Sequence, residues 1–209
     1  PIRREGASRM RVLNLYAGIG GNRERWSGVE VTAIELDPAI ADVYRKRFPK
    51  DDVIVADAHQ YLEDHFNEFN FIWTSPPCPS HGQYRHNVGV IAKGYKPIIP
   101  DMRLYGEIVF LQTYCRTKWV VENTVPYYAP LIPPTAKLQR HLFWSNFPLE
   151  EVSSRIIGNA EIRTRNKISD FDCGKFVANS AIKNKRQALR NCVDPTIGEA
   201  IINLARRKS

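Results

Sequence analysis

The stretch NLYAGIGG at residues 14–21 decides the predicted fold of this chain. It closes an apolar, β-prone run that begins at Arg11, and it precedes a polar stretch that we expect to be helical. Glycines at positions 18, 20 and 21 let the backbone turn tightly and approach a ligand closely. A strand, a glycine turn and a helix in this order are typical of a nucleotide-binding α/β unit. A generic tight turn is the alternative interpretation.

Further strand-then-helix units follow the first. Apolar, β-prone runs recur along the chain as VEVTAIE (29–35), DVIVAD (52–57), FNFIWTS (69–75), TKWVVEN (117–123) and HLFWSNF (141–147). Asp37 is placed to cap a helix that Pro38 begins, and Asp194 and Pro195 stand in the same way before a final amphipathic helix. This order of elements predicts the βα units of a parallel sheet.

Composition limits the class of protein. The 209 residues suit one domain with its own core, and a hydrophobic fraction of 43% excludes wholesale disorder. No apolar run approaches the ~20 residues needed to span a membrane, and no signal peptide is recognisable. The four cysteines are irregularly spaced and show no zinc-binding pattern. We therefore expect an intracellular, cytoplasmic protein without a metal site.

The surplus of positive charge lies near the C-terminus. Residues 1–150 carry 18 Lys/Arg and 16 Asp/Glu, whereas residues 151–209 carry 12 and 6. Because that last segment also contains apolar residues such as Ile156, Phe171 and Leu189, it predicts a folded basic surface and not a disordered arm. Such a surface favours a nucleic acid as the partner.

Two acids at strand ends indicate the kind of cofactor. Glu35 stands where a carboxylate can hold both hydroxyls of a ribose, and Asp57 stands where it can meet an adenine amino group. The glycine turn contains no phosphate-loop pattern and no basic residue that would neutralise a pyrophosphate. A phosphate-free adenosine cofactor therefore fits best, which favours S-adenosylmethionine, with NAD as the second candidate.

A cysteine and a carboxylate are expected at the same sheet edge. The turn TSPPCPS (74–80) places Cys78 after a strand, and two prolines fix the backbone before the thiol. VVENTVP (120–126) places Glu122 after apolar residues, where partial desolvation suits it to proton donation. A buried structural cysteine and a surface acid are the alternative interpretations.

One reaction uses both groups. Carbon 5 of cytosine becomes nucleophilic when a thiolate attacks carbon 6 while an acid protonates ring nitrogen 3. A thiolate cannot reach these atoms inside a duplex, so the base must be flipped out. Residues 79–100 form a long aperiodic loop with Ser80, Arg85 and three glycines, and we expect it to close over such a site.

The chain resembles the DNA (cytosine-5)-methyltransferases. The similarity runs in order through NLYAGIGG, AIELDP, VADA, TSPPCPSHG, VVENTVP, RHLFWSNF and KRQALRNCVDP. It implies a Rossmann-like S-adenosylmethionine-dependent methyltransferase fold of the α/β class, with a mostly parallel seven-stranded sheet. It also implies a catalytic domain over 1–148, a reduced basic target-recognition region over 149–185, and a C-terminal motif and helix over 186–209.

The resemblance assigns roles to individual residues. Cys78 would be the nucleophile and Glu122 the acid. The family's usual Arg-x-Arg stands here as Gln139-Arg140-His141, so either Arg140 or His141 would orient the base. The expected cofactor-binding residues are Tyr16, Ala17, Gly18, Gly20, Glu35, Leu36, Asp57, Ala58 and Asn191. The expected substrate-binding residues are Pro77, Ser80, Asn123, Arg163, Arg165 and Lys167.

The target-recognition region is much shorter here than is usual in the family. Its basic residues mainly suit phosphates, which carry little sequence information. We therefore expect a short or relaxed recognition sequence on double-stranded DNA, or a separate partner that supplies specificity. The alternatives are methylation of tRNA by the same chemistry, an amino-methyltransferase of bases, and a non-catalytic nucleic-acid-binding protein on the same fold.

Overall fold

A computed structural model of the chain describes residues 9–152 and 174–207. Within them the strands are β1 Met10–Leu15, β2 Val29–Ile34, β3 Asp52–Ile54, β4 Phe71–Thr74, β5 Lys118–Thr124, β6 Ala136–Leu138 and β7 His141–Ser145. The α-helices are α1 Pro38–Arg47, α2 Ala58–His65, α3 Arg103–Tyr114, α4 Gly174–Ala178, α5 Lys185–Arg190 and α6 Pro195–Arg206. A 3₁₀ turn covers Phe66–Glu68 and a π-helical segment covers Arg85–Ala92.

The strands form one mixed sheet in the order β3-β2-β1-β4-β5-β7-β6. Strands β1 to β5 are parallel, whereas β7 runs antiparallel to β5 and β6 runs antiparallel to β7. The expected α/β fold with a mostly parallel seven-stranded sheet is therefore confirmed. The chain order reverses between β1 and β4, so the carboxyl ends of these strands flank the crevice in which open α/β sheets bind their ligands.

Helices cover both faces of the sheet. Val12 and Trp73 pack with Ile197 and Ile201 of α6 on one face. On the other face, the alternate strand residues Leu13 and Ile72 belong to a cluster with residues of α2 and α3. Burial on both faces explains why the strands read as nearly continuous apolar runs.

Both predicted helix starts are confirmed. Oδ1 of Asp37 accepts from the backbone N–H of Ala39 at 2.8 Å, and α1 begins at Pro38. Oδ1 of Asp194 accepts from the N–H of Thr196 at 2.8 Å, and α6 begins at Pro195. Each carboxylate satisfies a backbone donor that the first helical turn leaves unpaired.

Three expectations about secondary structure were wrong. Residues 79–100 are not a loop throughout, because Arg85–Ala92 form a π-helical segment, whose hydrogen bonds do not follow the 3.6-residue period of an α-helix. The polar stretch after the glycine turn forms no helix, and residues 21–25 make successive turns. Helix α6 packs there instead, with Gly198 against the backbone of Asn22. HLFWSNF is the sixth β-prone run of the sequence and was therefore expected to be the sixth strand. It supplies the seventh strand, because the three-residue β6 precedes it. So short a strand has no readable periodicity and forms through its pairing with β7.

Among the described residues, no helix has the length and apolar character that crossing a membrane would require.

Candidate active site

The turn after β1 has the backbone geometry that a close ligand requires. Tyr16, Gly18 and Gly20 have φ values of 54°, 57° and 77°, in the left-handed region. A Cβ on Gly20 would lie 2.9 Å from the ring of Tyr44, so that position needs glycine. A Cβ on Gly18 would meet nothing closer than 4.0 Å, so the backbone there faces open space. A ligand can therefore approach the peptide groups of this turn directly.

Glu35 links the glycine turn to the loop after β2. Its Oε2 accepts from the backbone N–H of Gly18 and its Oε1 from the N–H of Asp37, each at 2.9 Å. Burial raises the pKa of Glu35, while these backbone hydrogen bonds act in the opposite direction. The neighbouring Leu36 is 65% exposed, although its side chain is apolar. The pair thus presents a fixed carboxylate beside an uncovered apolar surface.

Asp57 stands at the end of the loop that follows β3. Its Oδ1 caps α2 by accepting from the N–H groups of His59 and Gln60, at 2.8 and 3.3 Å. Its Oδ2 makes no hydrogen bond within the described part of the chain, and the next residue, Ala58, is buried. One carboxylate oxygen is therefore structural, and the other is free to meet a ligand.

The last motif returns to the glycine turn. Asn191 is exposed at the C-terminal cap of α5. The next residues pack on Gly21, where a Cβ would lie 2.7 Å from Cβ of Cys192 and 2.8 Å from the carbonyl oxygen of Val193. This brings Asn191 to the neighbourhood that the resemblance implies, although its contact with a cofactor stays a prediction.

The cysteine turn is held rigidly against β5. Nδ2 of Asn123, which is 1% exposed, donates to the carbonyl of Pro76 at 2.8 Å. The carbonyl of Cys78 accepts from the N–H groups of His81 and Gly82, at 3.0 and 3.2 Å. These bonds fix the backbone on both sides of Cys78, whose side chain is half-buried, while Pro77 is exposed beside it.

Glu122 and His141 share one face of the β5–β7 pair. Glu122 lies opposite Phe143, and His141 stands two residues before Phe143 on the same strand. Nε2 of His141 lies 3.6 Å from Oε1 of Glu122, and both side chains are buried. Nδ1 of His141 is buried without a hydrogen-bond partner among the described residues. Burial lowers the pKa of His141, so a neutral imidazole stands beside the carboxyl group.

Arg140 differs from its neighbour in placement. Its side chain is exposed, and its guanidinium donates to the carbonyl of Arg190 at the end of α5. The geometry therefore puts His141, and not Arg140, beside Glu122. Arg140 is still close enough to lower the pKa of Cys78.

Burial and the nearby Glu122 carboxylate disfavour ionisation of Cys78. Burial raises the pKa of the Cys78 thiol, and the Glu122 carboxylate raises it further, against the smaller effect of Arg140. The thiol is therefore protonated at rest. Because a neutral Glu122 would not repel a thiolate, protonation of Glu122 favours the thiolate form of Cys78.

The loop after Cys78 is tied down at its ends. Oγ of Ser80 accepts from the N–H of Asp101 at 2.9 Å, which joins the start of the loop to its end. The N–H of Tyr127 donates to the carbonyl of His81 at 3.0 Å, and Nε2 of Gln83 donates to the carbonyl of Pro126 at 3.2 Å. Ser80, which we expected to touch substrate, thus has a structural partner.

The sequence did not predict a role for one buried acid, Glu107. Glu107 on α3 is 1% exposed and accepts from the hydroxyl groups of Tyr16 and Thr74, at 2.6 and 2.7 Å. In the sequence it is a single acid within an apolar helix, so no spacing rule distinguishes it.

The basic residues Arg163, Arg165 and Lys167 lie outside the described residues, as does most of the expected target-recognition region. Across residues 9–152 and 174–207, no three or more His, Cys, Asp or Glu side chains form a group that could hold a metal ion.

Comparison with protein families gives one match. Residues 10–94 match the family described as C-5 cytosine-specific DNA methylase. That segment includes the glycine turn, Glu35, Asp57 and Cys78, and it ends before Glu122. Comparison with curated protein sequences finds no match.

Solved methyltransferase structures are similar to parts of the chain. A SAM-dependent methyltransferase from Agrobacterium tumefaciens is 14% identical, with a TM-score of 0.42 over 59% of this chain and 41% of that one. The methyltransferase EhMeth of Entamoeba histolytica is 19% identical, with a TM-score of 0.36 over 56% and 39%. A DNMT2 mutant from Spodoptera frugiperda is 22% identical, with a TM-score of 0.36 over 55% and 35%. The aligned part is less than half the length of each of these three chains.

Proposed function

We propose that this chain is a cytosine-5 methyltransferase that acts on double-stranded DNA and uses S-adenosylmethionine. The observation that carries the proposal is the attachment of the cysteine turn to β5 through Asn123 and Pro76, next to the Glu122–His141 pair, at the sheet edge that also bears the glycine turn. The family match of residues 10–94 supports the same chemistry.

The residues at and around the glycine turn fit S-adenosylmethionine. The open space above Gly18 admits a ligand to the backbone, and the fixed carboxylate of Glu35 suits the hydroxyls of a ribose. Leu36 offers an uncovered apolar side chain to an adenine ring, and the free oxygen of Asp57 suits its amino group. The cofactor, when bound, supplies the methyl group as an electrophile.

Cys78 and Glu122 activate the base together. The Cys78 thiol first loses its proton to solvent, and the thiolate bonds to carbon 6 of cytosine while ring nitrogen 3 takes the proton of the Glu122 carboxyl group. Once carbon 5 carries the methyl group, its proton passes to solvent and the bond between sulfur and carbon 6 breaks, which releases the Cys78 thiolate. Ring nitrogen 3 then returns its proton to Glu122, so the ring is aromatic again and both residues are restored. A base inside a duplex must be flipped out for these contacts.

His141 is the residue that we assign to orienting the base. Its neutral imidazole lies beside Glu122, and its unpaired Nδ1 is a buried polar atom that a substrate can satisfy. Buried polar groups without a partner are rare in proteins, and a catalytic or binding role is one of the explanations for them. We assign Arg140 a different role, in which its positive charge favours the Cys78 thiolate.

The family match and the charge of the chain both bear on the substrate. The family that residues 10–94 match is described by its DNA substrate, whereas the basic charge of the chain suits DNA and tRNA equally. The short region between β7 and α4 suggests a short or relaxed recognition sequence, or a partner protein that supplies specificity. Bisulfite sequencing of treated DNA that revealed one long fixed site would contradict this.

Methyl incorporation decides between the substrates. The protein is incubated with methyl-labelled S-adenosylmethionine and either duplex DNA or tRNA, and Cys78→Ser and Cys115→Ser variants are tested in parallel. Cys115 is a half-buried cysteine at the end of α3 and serves as the matched control. We expect label in DNA with the wild type and Cys115→Ser, and none with Cys78→Ser. Label in tRNA alone would overturn DNA as substrate, and label that survives Cys78→Ser would overturn the mechanism.

A further inference from the structure

We propose that Glu107 is a positioning residue. It holds the glycine turn in a fixed position relative to β4, the strand that leads to Cys78. This inference rests on the proposed function, because it concerns how the same site receives its cofactor. The residue lies on α3, outside every motif of the sequence and outside residues 10–94.

The carboxylate of Glu107 contacts side chains from three parts of the fold. Its Oε1 accepts from the hydroxyl of Tyr16, in the turn after β1, at 2.6 Å. Its Oε2 accepts from the hydroxyl of Thr74, the last residue of β4, at 2.7 Å. Nδ1 of His59, in the first turn of α2, lies 3.0 Å from Oε1. One side chain thus joins the glycine turn, the strand before the cysteine turn and the helix that Asp57 caps.

Packing alone does not require an acid at this position. The side chain of Glu107 is fully buried, and the residues that flank it on the inner face of α3 are Leu104, Ile108 and Leu111. An apolar residue would fill such a site without the cost of desolvating a carboxylate. The partners of this carboxylate offset the cost of its desolvation, and all of them come from the edges of the candidate site.

Tyr16 shows what the carboxylate holds in place. Its φ of 54° is uncommon for an aromatic residue, and such conformations persist only where their surroundings fix them. Burial raises the pKa of Tyr16, and Glu107 raises it further, so the phenol remains a donor. The hydrogen bond to Glu107 is therefore a tether for the turn that begins at Tyr16.

Cofactor binding tests the tether without any catalytic step. The affinity for S-adenosylmethionine is measured by calorimetry for the wild type, Tyr16→Phe, Glu107→Gln and Glu107→Ala, and the thermal midpoint is recorded for each. Ile108→Val is the matched control, because it trims a fully buried side chain next to Glu107 and leaves the carboxylate intact. Tyr16→Phe removes one hydroxyl and keeps the ring, so it remains informative if Glu107→Ala does not fold.

We expect Tyr16→Phe and Glu107→Ala to weaken binding by about tenfold, since a hydrogen bond to a charged group is lost. Glu107→Gln keeps an acceptor for Tyr16 and should weaken binding less. Ile108→Val should bind as the wild type does. Equal affinity in Tyr16→Phe and Ile108→Val would overturn the tether while leaving the proposed function intact. A wild type that does not bind S-adenosylmethionine would overturn the proposed function, and the tether with it.

Discussion

Replacing Gly198 by alanine tests how closely the C-terminal helix packs on the turn after β1. Gly198 is the fourth residue of α6, and Gly106 is the fourth residue of α3, another helix of 12 residues. In a helix interior, alanine is favoured over glycine by about 0.5–1 kcal/mol. A Cβ on Gly106 would have no neighbour within 4 Å, so Gly106→Ala should realise that gain.

Gly198 differs because the backbone of Asn22 lies against it. A Cβ there would lie 2.8 Å from the carbonyl carbon of Asn22 and closer still to its oxygen. Real Cβ atoms do not approach backbone this closely, and a backbone cannot move aside as a flexible side chain can. Overpacking of this kind costs about 1–3 kcal/mol, which outweighs the helix gain. Gly198→Ala should therefore lose up to about 2 kcal/mol.

Urea denaturation and thermal melting show directly whether each variant is more or less stable than the wild type. For a chain of this size, 1 kcal/mol moves the thermal midpoint by about 2–4 °C. We expect Gly106→Ala to melt above the wild type and Gly198→Ala below it. Stabilisation of similar size in both variants would refute the close contact between α6 and the turn at Asn22.

The remaining predictions concern the cysteine turn and its partners. Glu122→Gln should slow methyl transfer by about 10²–10⁴-fold, the usual contribution of a general acid. The same variant should speed alkylation of Cys78, because it removes a charge that raises the thiol pKa; slower alkylation would count against that interaction. In the wild type, alkylation of Cys78 by iodoacetamide should increase with pH, with a midpoint above that of a cysteine peptide, since only the thiolate reacts and burial disfavours it. A midpoint at or below the peptide value would contradict the burial of the thiol. Asn123→Ala leaves the carbonyl of Pro76 unpaired and should cost about 1–3 kcal/mol in urea denaturation; a cost under about 0.5 kcal/mol would contradict the buried hydrogen bond.

Most of the sheet could be predicted because its strands are buried on both faces. Continuous apolar runs such as FIWT in β4 and WVV in β5 exist for that reason, and short polar caps separate them from the helices. The turns 21–25 were harder to predict, since local polarity suggested a helix. That space is filled by α6, which arrives from the other end of the chain.

The candidate site could be predicted where residues lie next to strand ends. Cys78 and Glu122 each follow an apolar run, so their shared edge follows from the parallel order of β4 and β5. The choice between Arg140 and His141 depends on strand register, because a shift of one residue turns a side chain to the other face. The observed pairing of Glu122 with Phe143 places His141 on the same face as Glu122.

Glu107 shows which information the sequence lacked. Its partners Tyr16, His59 and Thr74 are 91, 48 and 33 residues away along the chain. A contact of this kind arises from the tertiary packing of α3 on the sheet, and no local sequence pattern predicts it.

Cys78 should bond covalently to carbon 6 of cytosine during the reaction, and trapping that bond tests the proposed mechanism most directly. A duplex that contains 5-fluorocytosine is incubated with the protein and S-adenosylmethionine, because fluorine at carbon 5 cannot leave as a proton does. Digestion and mass spectrometry then locate the modified peptide. We predict a stable adduct on Cys78 in the wild type and in Cys115→Ser, and none in Cys78→Ala. A wild type that forms no adduct, or an adduct on another residue, would contradict the account.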